Sequence, residues 1–125
     1  MAAQATTLPA SLVLVVDDNQ DAADALARLL RLSGHHVVTA YNGMCALAHV
    51  RPCRPDIVLC DLGLPELSGY DLAKIVRREL PGAIRLVAIS GYAQPEDVRR
   101  SLEAGFDAHV AKPAQPADIE RLLRA

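Results

Sequence analysis

Ile57-Val58-Leu59-Cys60-Asp61 is a short apolar run that ends in a carboxylate, bounded by Pro55 before it and Gly63-Leu64-Pro65 after it. Five residues are too few for a helix and fit a strand that is buried on both faces. Such a strand belongs in a parallel sheet covered by helices on each side. In open sheets of that kind, ligands bind beyond the carboxyl ends of the strands, and Asp61 stands at such an end.

Working outward, Leu12 to Val16 reads as a second buried strand, ending in Asp17-Asp18. Asn19 or Asp18 caps the helix that follows. Its apolar residues Ala22, Ala25 or Leu26, Leu29 and Leu30 recur at helical spacing, and Ser33-Gly34 stops it. His36 to Ala40 is the least apolar strand and suits a sheet edge. Asn42 caps a helix through about Val50, which Pro52 and Pro55 end. A loop, Leu62 to Ser68, leads to a helix over about Gly69 to Leu80 with Leu72, Ile75 and Val76 facing inward, and Pro81-Gly82 breaks it.

Ile84 to Ile89 is the fourth strand, ending in Ser90-Gly91. Pro95 opens a helix that Gly105 closes. Ala108 to Ala111 is a brief fifth strand ending in Lys112-Pro113, and Pro116 starts a last helix striped by Ile119, Leu122 and Leu123. The alternation predicts an α/β fold, a doubly wound five-stranded parallel sheet with five helices and right-handed crossovers. With the polar strand at an edge, the strand order is 2-1-3-4-5, which is flavodoxin-like.

The 125 residues, 51% of them hydrophobic, suffice for one domain with a real core. One Phe, three Tyr and no Trp leave that core to Ala, Leu, Val and Ile. A net charge of -2 gives no basic footprint for nucleic acid or acidic lipid. Cys45, Cys53 and Cys60 are odd in number and lack C-x-x-C spacing, so they read as free buried thiols of a reducing cytoplasm. The longest strongly apolar run, Leu12 to Val16, is far too short to span a bilayer, so no membrane segment is expected. Met1 to Ala10 is not a secretory signal and reads as a disordered tail, or the leftover of a longer chain, ahead of a domain over 11–125. His35, His36 and His49 share no metal-ligand pattern and read as surface or edge residues. Arg77-Arg78 and Arg99-Arg100 read as solvated helix faces, and Tyr41 and Phe106 as packing residues.

Four strands end in residues that carry chemistry: Asp17-Asp18, Asp61, Ser90 and Lys112. Singly, these read as a helix cap, a solvated acid and two turns. A parallel sheet places all of them on one edge. At about 4 Å and an effective dielectric near 20, each pair of carboxylates there repels by roughly 4 kcal/mol. Either one acid stays protonated or a cation sits among them. Three carboxylates and one ammonium sum to -2, and hard oxygen ligands without His or Cys favour Mg²⁺ over Zn²⁺. A carboxylate can attack phosphorus and become an aspartyl phosphate, with metal and ammonium neutralising the equatorial oxygens. Asp61 is then the nucleophile and Asp17-Asp18 hold the metal, while Ser90 and Lys112 each bind a phosphoryl oxygen.

With Val16-Asp17-Asp18-Asn19, Asp61-Leu62-Gly63-Leu64-Pro65, Gly69, Ile89-Ser90-Gly91, Ala104-Gly105 and Lys112-Pro113, the stretch 11–125 resembles the receiver domain of bacterial two-component response regulators. Gly91 to Asp97 and Glu103 to Asp107 are most similar to receivers at the C-terminal end of hybrid histidine kinases. The resemblance implies that Asp61 takes a phosphoryl group from a phosphohistidine on a histidine kinase or histidine phosphotransfer domain. It implies that Mg²⁺ is bound directly by Asp18, by Asp61 and by the backbone carbonyl of Gly63, and through water by Asp17. It also implies a cis Lys112-Pro113 bond that aims Lys112 at the site, and a partner or homodimer surface on helix 4, strand 5 and helix 5.

The family's aromatic residue three positions before the lysine is here His109, which would work with Ser90 as the switch but carries an imidazole, a group whose ordinary pKa is about 6.5. A weaker or pH-sensitive switch is the expectation. Gly63 opens the mouth of the pocket and Tyr92 covers it, two opposed influences on aspartyl-phosphate lifetime. The implied function is a signalling domain that promotes its own phosphorylation and dephosphorylation, not a turnover enzyme. Dehalogenase-like phosphohydrolases need Asp-x-Asp after the first strand, whereas these acids are adjacent. A docking module without the chemistry fits poorly with intact Asp18, Asp61 and Lys112. Stand-alone receiver and fragment of a hybrid kinase both stay open.

Overall fold

Alternation along the buried strands sorts their side chains into two apolar layers, one on each face of a single parallel sheet. The computed structural model describes residues 11–80, 82, 84–91 and 94–124. Strands β1 (Leu12–Val16), β2 (His36–Ala40), β3 (Ile57–Asp61), β4 (Arg85–Ser90) and β5 (Ala108–Ala111) alternate with helices α1 (Gln20–Leu32), α2 (Gly43–Cys53), α3 (Gly69–Glu79), α4 (Pro95–Ala104) and α5 (Pro116–Arg124). The order is β2-β1-β3-β4-β5, all pairs parallel, with β2 at an edge as its polarity demanded. The readings of residues 1–10, Pro81 and Tyr92 lie outside the described residues.

Leu14, Val16, Val58, Cys60, Leu86 and Ala88 face one way, onto Ala46 and Val50 of α2, Leu72 and Val76 of α3, and Phe106. Val13, Val15, Ile57, Leu59, Val87 and Ile89 face the other way, onto Ala23, Ala27 and Leu30 of α1 and Ile119 of α5. β3 is buried on both sides from Ile57 to Cys60. Truncating such a residue to Ala typically costs about 2–5 kcal/mol, so the strand that presents Asp61 is firmly held.

Several local readings are corrected. The inward stripe of α1 is Ala23, Ala27 and Leu30, with Leu26 partly buried, while Ala22, Ala25 and Leu29 are exposed. Two small residues facing the sheet let the helix approach closely. Helix α2 does not stop before Pro52 but includes it and ends at Cys53. Proline forfeits only its own N–H there, and Arg54, in the left-handed region at φ 47, closes the turn by donating from its backbone to Val50 O at 3.0 Å. Of the three thiols, all free, only Cys60 is buried, because Cys45 and Cys53 lie on the outer side of α2.

His35 is buried, not a surface residue, since Glu120 of α5 arrives to pair with its Nε2. Arg77 is no solvated face either. Its guanidinium donates to Gly105 O and Ile84 O, each at 2.8 Å, and to Asp107 Oδ2 at 2.6 Å. That carboxylate also accepts from the Leu86 backbone at 2.9 Å, so α3, β4 and the turn after α4 are tied through one side chain. Among the described residues, no helix is long and apolar enough to cross a membrane.

Candidate functional site

Register brings the ends of β1, β3, β4 and β5 to one rim, with Val16 opposite Cys60, Asp61 opposite Ile89 and Ser90 opposite Ala111. Beyond β1, Asp17 is buried and Asp18 exposed. Asn19 settles the open choice of cap: its side chain accepts from Ala22 N at 3.1 Å, and its own backbone donates to Asp17 Oδ1 at 2.9 Å. At the end of β3, Asp61 Oδ1 accepts from Gly63 N at 3.0 Å. One carboxylate oxygen from each of Asp17, Asp18 and Asp61 lies within 4.8 Å of the others.

Lys112 leaves β5 with its backbone donating to Ser90 O at 2.9 Å. Its Nζ lies 3.1 Å from Asp61 Oδ2 and 3.2 Å from Asp17 Oδ2. The Lys112-Pro113 bond is cis, as the resemblance implied. Beside this group, Ser90 Oγ and His109 Nε2 are 3.0 Å apart. The expected acids and lysine are thus gathered at one place, with the expected serine and histidine paired on the neighbouring strands.

Burial raises the pKa of Asp17, opposed by the Asn19 backbone and by Lys112 and reinforced by Asp61. Burial pulls the Lys112 ammonium down, but the hydrogen bond and charge of Asp61 and the charge of Asp17 outweigh it, leaving it raised. Burial lowers His109, with Asp97 of α4 pulling the other way. The Cys60 thiol is pushed up by burial and by the charges of Asp61 and Asp17, and stays an inert neighbour of the acids. One ammonium against three carboxylates leaves an all-oxygen donor set short of positive charge, which fits a hard divalent cation.

Gly69, quoted among the motif residues but given no role there, acquires one in the structure. A Cβ on Gly69 would sit 2.7 Å from Asp61 O and 3.0 Å from Leu62 Cα, so only glycine lets the start of α3 abut the end of β3. Ser68 and Asp71 close a reciprocal capping box around that start. The available signal was a glycine as first residue of an otherwise strong helix, where alanine has the better propensity.

A family model described as response regulator receiver domain matches residues 13–124. The DNA-binding response regulator MtrA of Mycolicibacterium smegmatis is 35% identical over 113 residues, covering 90% of this chain and 49% of that protein. A response regulator from Burkholderia pseudomallei, solved with a phosphorylated aspartic acid, calcium ion and citrate, is 31% identical with TM-score 0.83, covering 90% of this chain and 66% of that one. The signal receiver domain of a histidine kinase from Syntrophus aciditrophicus is 28% identical with TM-score 0.79, covering 92% and 88%.

The chain belongs to the response regulator receiver domains of two-component signal transduction. It is a signalling domain of the kind that takes phosphoryl groups on an aspartate from histidine kinases or phosphotransfer proteins, and that generally binds Mg²⁺ at its acidic pocket. It spans about half the length of the MtrA relative it matches. The similarities reach regulators such as MtrA as well as a kinase receiver, so they do not single out the hybrid-kinase type.

Proposed function

We propose that Asp61 is the phosphoacceptor, taking its phosphoryl group from a phosphohistidine on a kinase or histidine phosphotransfer partner. The observation that carries this reading is the Lys112 ammonium held between Asp17 and Asp61 in a cluster of three acids. An Asp61 carboxylate oxygen forms the new P–O bond as the P–N bond of the donor breaks, and the departing imidazole nitrogen keeps the electron pair. Lys112 then pairs with one phosphoryl oxygen and the Ser90 hydroxyl donates to another.

Asp18, Asp61 and the Gly63 carbonyl would hold Mg²⁺, with Asp17 acting through water. Bound there, the ion supplies charge neutralisation for the incoming phosphoryl oxygens. Ser90 and His109 form the switch, and Pro113 is the conformational residue behind Lys112. Water attack at the phosphorus breaks its bond to the Asp61 oxygen, releases inorganic phosphate and returns Asp61 to its carboxylate, so the domain promotes both halves of its own cycle.

Output passes to a partner, or to a second copy, through α4, β5 and α5, with no direct contact to nucleic acid by this domain. DNA binding is named for the MtrA relative, of which this chain matches only 49%. A place in a hybrid kinase is supported by the Gly91 to Asp97 stretch and by the likeness to a kinase receiver. The domain acts in the cytoplasm, where phosphohistidine donors are charged. Intact mass after incubation with acetyl phosphate and Mg²⁺ tests the central assignment. One added phosphoryl is expected, absent in Asp61→Asn, and retention of the adduct in that variant overturns it.

A further inference from the structure

A cleft of about 320 Å³ runs from the acid cluster along α1, with Asp17, Asp61 and Lys112 at its polar end. Its floor is sheet: Val15, Leu59 and Ile89, all buried. One wall is the outer side of α1, where Ala25 and Leu29 are exposed and Leu26 is half-buried. Pro113 and Ala114 form the other wall. Ala22 and Ala25 contribute only methyl groups to the first, which leaves the space unfilled. Among the described residues, no further charged side chain lines the cleft, so charge and hydrocarbon are segregated along one cavity. That division suits a small ligand with a phosphoryl head and a short apolar body.

We propose that the cleft holds the acyl chain of an acyl phosphate, so that Asp61 takes phosphoryl groups from longer-chain acyl phosphates in preference to acetyl phosphate. The preference rests on Asp61 being the phosphoacceptor, and adds a small-molecule donor class to that site. An Asp61 oxygen forms the new bond to phosphorus as the bond from phosphorus to the acyl oxygen breaks. The acid departs as its carboxylate and keeps the electron pair. In-line displacement sends that carboxylate away from Asp61, over the rim. An acetyl group ends there. A butyryl chain has two more methylenes with which to turn onto Ala22, Ala25 and Leu26. Burying them lowers the free energy of the bound donor and of the transition state alike, which raises the second-order rate constant. Two such methylenes are worth about tenfold.

The test compares acetyl phosphate with butyryl phosphate on the full chain with Mg²⁺, following the added phosphoryl by intact mass. Both donors release a carboxylate and they differ only in methylenes remote from phosphorus, so the ratio of their rates reports the cleft. A ratio of about ten in favour of butyryl phosphate is expected. Ala25→Leu fills the cleft and Leu29→Gln makes its wall polar. Each should bring the ratio near one, with melting temperature as the check on folding. A phosphonate that carries CH₂ in place of the bridging oxygen of butyryl phosphate cannot transfer its phosphoryl group. It should shift the Ala25 and Leu26 methyl signals in NMR spectra, independently of turnover.

Equal rates from the two donors overturn the donor preference and leave the phosphoacceptor reading intact. A ratio undiminished in both variants also overturns it, as does a phosphonate that leaves the Ala25 and Leu26 signals unmoved. Phosphoryl gained from neither donor, or still gained by Asp61→Asn, overturns the site assignment and the donor preference with it.

Discussion

Lys112 Nζ donates to Asp61 Oδ2 at 3.1 Å, joining residues 51 positions apart in the chain. This contact and its partner to Asp17 hold the ammonium against its own desolvation, so its folded pKa is above the ordinary 10.5. A raised pKa means that the stabilisation is complete below the unfolded value and is lost as pH rises through the folded one. The wild type should therefore lose Tm more steeply than Lys112→Met on the alkaline side of 10.5, read by calorimetry across that range.

Mg²⁺ should raise the melting temperature by binding the folded acid cluster and not the unfolded chain. At a hundredfold excess over Kd the gain is about 2.7 kcal/mol. Asp18→Asn should shrink the shift, measured by thermal denaturation at increasing Mg²⁺. An unchanged shift in that variant would remove Asp18 from the ligand set.

Gly69→Ala should destabilise the domain by about 1–3 kcal/mol, because the new methyl meets the backbone of Asp61 and Leu62 and neither can retreat. Gly63→Ala meets only Asp61 Oδ1, at 3.7 Å, and should stay within about 0.5 kcal/mol of wild type. Urea denaturation of both variants makes the comparison. The same pair separates fold from chemistry, since only Gly63 borders the carboxylate itself.

Arg77→Lys should cost about 2–3 kcal/mol, since an ammonium cannot reach Gly105 O, Ile84 O and Asp107 together as the guanidinium fork does. Lower urea midpoints with an unaltered Mg²⁺ thermal shift are the expected pair of results. Loss of the Mg²⁺ shift as well would mean that the tie between α3 and β4 reaches the site.

The strands could be read from the chain because each is a short apolar run whose polar end is forced out at the sheet edge. Once the strands were parallel, convergence of Asp17, Asp18, Asp61, Ser90 and Lys112 followed from topology. What could not be read depends on partners distant in sequence. His35 looks like a solvent-facing turn residue until Glu120, 85 positions later, provides the acid that lets it be buried. Arg77 sits in a helix with a neighbouring arginine, and nothing local shows that Gly105 and Asp107, 28 and 30 positions away, will use its donors.

The end of α2 was misjudged for another reason. Proline is a poor helix residue in general, but in a final turn it forfeits a single bond, and Arg54 rather than Pro52 marks the stop. The contact between Ser90 and His109 was likewise beyond reach. Strand order makes these residues neighbours, but their separation depends on rotamers that a string of letters does not contain.

Cys60 is sealed one residue before Asp61, whereas Cys45 and Cys53 are open to solvent. A thiol-alkylating reagent should therefore modify two positions at once and the third only when the central strand comes apart. The delay before that last adduct, followed by mass spectrometry, times global opening in a chain whose lack of tryptophan denies it the usual fluorescent reporter.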